Sequence, residues 1–332
     1  MIQRSLNIIL FCFFATALFS QTGGKNSYEF LNLTHSALVS SLGGANVSVL
    51  DDDLNMPYHN PALLIKSMNN SIALNYVNYF AGINYGFAMY SRSFNETESF
   101  ASGLTYLNYG SFTESDPAGN ITGSFRASEY AFSMIYSRII DTAFSIGINF
   151  KPVLSHLENY TSVGFAFDIG ASWHSRNSLL STGFVIKNAG YQISRYAGES
   201  REKLPFEIQA GITKRLEHAP FRFSLTLRHL EKYDLTHYYG AQDKSKTGEL
   251  AENILRHAIF GVELIPAKNF YMSAGYNYQI RRELQIESKV SGVGFSWGFG
   301  IKLSNLTVGF GRAAYHLAGA SNSFSIVVGN WK

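Results

Sequence analysis

Charge is scarce in this chain. Asp, Glu, Lys and Arg supply only 15% of its 332 residues, where a soluble domain carries about 25%, so little of its surface is built to face water. Thiols are scarcer still, with Cys12 the one cysteine. Long apolar runs are also missing: after residue 20 no stretch reaches the roughly 18 apolar residues of a spanning helix, which excludes a helical membrane protein. The net charge of +3 is mild and its Lys and Arg residues are scattered, so there is no basic patch for nucleic acid. What is abundant is aromatic weight, 15% with 26 Phe and 20 Tyr, beside 29 Gly, at a mean hydropathy of -0.03. Low charge with a neutral average suits a β-barrel, whose strands alternate lipid-facing and lumen-facing residues.

Residues 1–20 read as a removable signal peptide, with Arg4 in a positive start and Ile8 to Leu18 as the apolar core. Cleavage is placed after Leu18-Phe19-Ser20. Cys12 follows Phe11 inside that core, where lipoprotein processing would need a small residue, so the thiol leaves with the leader. The mature chain then has no disulfide and no Cys-based metal site. Export without an anchor helix leaves the periplasm, the exterior or the outer membrane, and the strand pattern selects the last.

The clearest strand runs from Ser291 to Leu303. Val293, Phe295, Trp297, Phe299, Ile301 and Leu303 fall on one face, and Gly292, Gly294, Ser296, Gly298, Gly300 and Lys302 on the other. A soluble sandwich would put charge opposite the bulky row, whereas Gly and Ser suit a crowded barrel interior. The rows Phe144 to Phe150, Val163 to Ile169, Phe206 to Ile212 and Phe221 to Leu227 alternate in the same way. Asn149, Lys151, Asp168, Glu207, Arg222 and Arg228 lie on their opposite, inward faces. A charge on the lipid face would cost roughly 2–4 kcal/mol near the midplane, which sets the phase of each strand.

Segments of this kind start near residues 71, 83, 99, 126, 143, 160, 179, 205, 221, 253, 270, 291, 306 and 322. They predict an all-β fold, a transmembrane antiparallel barrel of about fourteen strands over residues 71–332. Short connections such as Asp141-Thr142 and Lys268-Asn269 alternate with long ones such as Thr113 to Phe125 and Asp234 to Glu252, as periplasmic turns and outer loops do. Two joints fit less well: the turn after Tyr79 is short for an outer loop, and Ser93 to Ser99 is long for a periplasmic turn.

Residues 21–70 do not alternate and are assigned to an N-terminal plug. Gly43, Gly44, Asp51, Asp52, Asp53, Asn60, Pro61 and Ala62 are its candidate structural residues. Clustered carboxylates suit Ca²⁺, but the triplet lacks the interleaved spacing of a calcium loop and reads better as helix caps or partners for Arg and Lys of the wall. Asn60-Pro61 is a cap followed by a first-turn proline, so Ala62-Leu63-Leu64 should open a short helix. The dispersed histidines, with no His-Glu-x-x-His or His-x-His pairing, point to no enzyme, no metal and no cofactor. On the loop from Asp234 to Glu252, His237, Tyr238 and Tyr239 are the candidate partner contacts.

Gly23-Gly24-Lys25, Tyr28 to Leu33, Leu42-Gly43-Gly44-Ala45, Asp51-Asp52-Asp53 and Asn60-Pro61-Ala62-Leu63-Leu64, heading about fourteen strands, resemble the PorQ family. That family belongs to the type IX secretion system of the Bacteroidetes and to the wider FadL-like outer-membrane barrels. The resemblance implies an outer-membrane component of the attachment complex, which anchors a PorZ-like surface protein beside PorU- and PorV-like components. It also implies support for cargo sorting and attachment to lipopolysaccharide. The alternative is a FadL-type channel for hydrophobic small molecules with the plug as gate. The inward charges favour the first reading, since a greasy route needs an apolar lining.

Overall fold

The alternation from Ser71 onward resolves into fourteen strands in a computed structural model, which describes residues 26–79, 82–196, 201–235, 246–284, 292–316 and 319–329. The leader, the Gly23-Gly24-Lys25 motif and His237, Tyr238 and Tyr239 lie outside the described residues. The strands are β1 (Ser71–Asn78), β2 (Asn84–Ser93), β3 (Glu98–Ser115), β4 (Ile121–Asp141), β5 (Phe144–Leu157), β6 (Tyr160–His174) and β7 (Leu180–Ser194). They continue with β8 (Glu207–Arg215), β9 (Phe221–Leu227), β10 (Ala258–Ala267), β11 (Phe270–Asn277), β12 (Phe295–Leu303), β13 (Leu306–His316) and β14 (Gly319–Val328). Each pairs antiparallel with its neighbours in sequence, and β1 closes on β14 from Ile72↔Val328 to Asn78↔Asn322. Closure leaves no unpaired edge, the condition for a sheet to cross a bilayer.

Outward rows are apolar and exposed, as at Phe295, Trp297, Phe299 and Ile301 of β12, while the alternate residues are buried. Ser71 and Val328 lie at the end that carries the short connections, which faces the periplasm in barrels of this type. The two ill-fitting joints keep their lengths. Tyr79 closes a tight outer turn by donating to the Ile83 carbonyl, and Phe94 donates to Glu98 across the inner one.

Four expectations need correction. The connection placed from Thr113 to Phe125 is mostly strand: β3 and β4 stay paired through Thr113↔Ser124, and only residues 116–120 join them. The strand placed from Ser291 begins at Phe295, and Val293 is buried and faces no lipid. Gly294, at φ 86°, turns the chain inward there, and its N–H is taken by the Ala314 carbonyl. The strand placed near residue 253 begins at Ala258, because Lys246–His257 forms a helix, α3. Its Asn253 and Arg256, one turn apart, are buried and hold the Tyr233 and Leu235 backbone. Arg228 lies one residue beyond β9, although it still points to Glu207.

Residues 26–70 run inside the barrel. The segment begins at the outer end, where Ser27 N–H donates to the Lys203 carbonyl at 2.9 Å. It then descends through a 3-10 turn (Glu29–Asn32) and helix α1 (Ala37–Ser41) to Asp51–Asp53 at the inner rim. Helix α2 (Met56–His59) carries Tyr58 back into mid-lumen beneath Leu31, and 3-10 turns at Pro61–Leu63 and Lys66–Met68 lead to β1.

Candidate functional site: the plugged lumen

The inner wall has two chemically different sides. On β1–β4 the inward rows combine apolar side chains, Ala73, Val77, Tyr85, Phe87, Met89, Ala101, Leu107, Ala131 and Ile135, with neutral polar ones such as Asn75, Thr105 and Ser133, all buried. Plug residues Tyr28, Phe30 and Leu31 pack on its outer half, and Leu54, Tyr58, Leu64 and Met68 on its inner half. One carboxylate interrupts this side, Glu129 near the outer mouth, held by the Tyr109 hydroxyl at 2.6 Å.

From β5 to β10 the wall is charged. Lys151 and Asp168 form an ion pair at 2.7 Å with both side chains fully buried. Such a pair survives burial only when further hydrogen bonds satisfy it. Here Lys151 donates to Asn188 Oδ1, Asn149 donates to Asp168 at 3.2 Å, and the Asn188 N–H donates to Asp168 at 2.8 Å. Arg228 grips Glu207 through two bonds of 2.6 and 2.8 Å. The ammonium groups of Lys151 and Lys187 lie 5.8 and 5.7 Å from the centre of the Tyr58 ring, so the plug's central aromatic is held by cation–π attraction.

Around β5–β13 the plug backbone rests on wall glycines. A Cβ at Gly183 would overlap the Val47 carbonyl oxygen, and one at Gly275 would strike the Leu42–Gly43 peptide. Gly43 and Gly44 themselves take φ of 101° and 94°, backbone that favours glycine, and the Gly43 carbonyl accepts from Asn277 at 3.1 Å. Serines complete the seat: Ser296 donates to the Ser41 carbonyl at 2.8 Å, Ser181 to Ser48 at 2.6 Å and Ser145 to Ala62 at 2.7 Å.

The Asp triplet divides its work. Asp51 meets Arg222 at 3.0 Å, and Arg222 also binds Glu263 at 2.6 Å. Asp52 lies 3.6 Å from Lys302, both exposed at the rim. Asp53 accepts from the backbone and side chain of Asn55 at 2.9 and 2.8 Å. Burial pushes the Asp53 carboxyl up to about 6, against the hydrogen bonds from Asn55 and with help from Asp51. Asn60 Oδ1 caps the Pro61–Leu63 turn by accepting from Ala62, while its Nδ2 bridges the Val47 and Ala171 carbonyls at 2.9 and 3.1 Å. Pro61 sits against Gly147 and Gly170.

Two plug histidines are buried neutral. His35 stacks on Phe87 at 3.7 Å and meets Tyr58 edge-on at 4.5 Å, and its Nε2 has no hydrogen-bond partner. Burial first, and then Lys187, lower it to about 3. His59, beside Thr34 at 3.3 Å, is pushed well below its usual value for the same reasons.

Residue-pattern reading missed Lys187, Asn188 and Glu263. The first two sit at a bulge where the β6–β7 register slips between Phe167 and Ile169, so consecutive residues both turn inward. The broken alternation over Ile186-Lys187-Asn188-Ala189 was its only signal, together with an Asn able to adopt φ 56°. Glu263 stands in the inward phase of β10, hidden by the misplaced strand start.

No protein-family model and no curated protein matches the chain by sequence. Solved structures do match it by shape. The Pseudomonas putida toluene transporter TodX superposes with a TM-score of 0.56 at 10% identity, covering 90% of this chain and 100% of TodX. The Ralstonia pickettii toluene transporter TbuX gives 0.55 at 11%, over 90% and 98%. The CymD monoaromatic hydrocarbon channel gives 0.56 at 10%, over 92% and 100%. At such identities the likeness is one of fold, and that fold is a FadL-like, fourteen-stranded transmembrane barrel with its N-terminal segment inside.

Proposed function

We propose that this protein is an outer-membrane channel for hydrophobic small molecules, gated by its own plug and without enzymatic activity. The observation that carries the reading is the β1–β4 wall, which holds two apolar clusters, one with Tyr85 and Leu107 in the outer half and one with Phe87, Met89 and Ile135 in the inner half. Glu129 is its one buried charge among the described residues. The inward charges that argued against a greasy route are confined to the other side of the lumen, apart from Glu129. The hydrocarbon channels of like fold add support. A hydrophobic molecule entering at the mouth would replace plug side chains along this wall at little cost, because apolar contacts are non-directional. The plug would stay tethered by Asn60, Ser41, Ser48 and Ala62 on the glycine side. The attachment role, with PorZ-, PorU- and PorV-like partners, rests on the sequence resemblance alone.

Labelled toluene uptake by cells expressing the protein tests the reading. Accumulation should exceed that of cells without it and fall towards the background in Phe87→Asp, with Met89→Gln as a milder variant. Uptake equal to background in cells holding correctly inserted wild-type barrel would sink the proposal.

A further inference from the structure

The outer surface of the barrel carries a feature unrelated to the lumen. An apolar groove of about 470 Å³ crosses β8 to β12 on the lipid-facing side. Strand register explains its shape. One outward row runs Ile212↔Leu225↔Phe260↔Tyr276↔Phe295, and the row below it runs Lys214↔Phe223↔Val262↔Ala274. Between them the rung Ser224↔Gly261↔Gly275 sends nothing bulky outward and forms the floor. Ala274 and Val262 are small among aromatic neighbours, so the wall is concave here. Five strands about 4.8 Å apart make a trough roughly 19 Å long. Because barrel strands tilt by about 35–45°, a paired row slants, and this one descends to Lys214, one residue before the end of β8.

Lys214 is the only charged residue lining the groove, and it is exposed. An outward lysine at the short-turn end places its stem along apolar surface and its ammonium at the headgroup level. An apolar trough ending in a cation at that level fits an anionic amphiphile, which in a bilayer leaflet is an acyl chain joined to a phosphate.

We propose that this groove is a specific site for one anionic phospholipid of the periplasmic leaflet, with an acyl chain between the two rows and the phosphate on Lys214. It stands independently of the channel reading. Native mass spectrometry of the barrel, released from phosphatidylglycerol nanodiscs into mild detergent, tests it. Wild type should retain one phosphatidylglycerol. Ala274→Trp, which fills the trough, and Lys214→Glu, which reverses the charge, should each lower the retained fraction at least fivefold. Ala171→Trp, on the outward face of β6, should leave it unchanged, and heat-modifiable gel migration confirms that each variant is folded. Equal retention in all variants, no retention by wild type, or displacement of the lipid by toluene would each overturn the assignment.

Discussion

The two sides of the lumen hold the same plug by different physics. On β5–β10 the contacts are directional: Arg222–Asp51, Asn188–Asn32, Thr213–Ser48 and the Lys187–Tyr58 contact each require one geometry. On β1–β4 they are mostly area, in which Phe30, Leu64 and Met68 touch whatever apolar surface is offered. Directional contacts fix a position, whereas apolar ones tolerate exchange of one occupant for another. The β1–β4 side adds hydrogen bonds from Tyr85 to the Thr34 carbonyl, from Asn75 to Asn55 and from Ser91 to the Met68 carbonyl. The plug is therefore held on both sides, but by more area and less charge on this one.

The largest effect should follow from breaking the charged side. Asp168→Ala leaves Lys151 buried without its counter-charge and should cost about 3–5 kcal/mol, read from urea unfolding of the detergent-solubilised barrel. Leu64→Ala on the apolar side should cost about 2–5 kcal/mol. The two variants should differ in hydrocarbon flux, which rises in Leu64→Ala and not in Asp168→Ala. Matching flux in both would erase the functional distinction between the sides.

The smallest effect concerns pH. His35 titrates near 3 in the folded plug and near 6.5 when unfolded. Its folded value is the lower one, so its contribution is complete above about pH 6.5 and is lost as pH falls towards 3. Between pH 7 and 5 the plug should lose up to about 2 kcal/mol from this site. Limited proteolysis of the plug should therefore accelerate on acidification, and His35→Phe should flatten that dependence. An unchanged slope in His35→Phe would remove this histidine from the account.

Much of the fold was legible because strand phase is a local property. Phe144 and Ile146 point one way and Ser145 the other whatever the rest of the chain does, so the inward position of Lys151 and Asp168 could be read directly. Reading failed where backbone departs from extension. Gly294 at φ 86° and the Asn188 bulge at φ 56° shift the phase, and α3 replaces expected strand because its polar residues recur at helical spacing. Counting inward charges also misled, since it could not show that they gather on one side.

Sequence by itself determined the barrel class, the number of strands and the segment that cannot be a strand, because each follows from periodicities of neighbouring residues. Only tertiary structure decided which inward groups meet. Asp51 reaches Arg222 across 171 residues, and Ser48 reaches Thr213 across 165, through the barrel's stagger. That same stagger gathers the apolar rows into one wall of the lumen and aligns the lipid-facing groove with Lys214, since both depend on register between strands rather than on order within one.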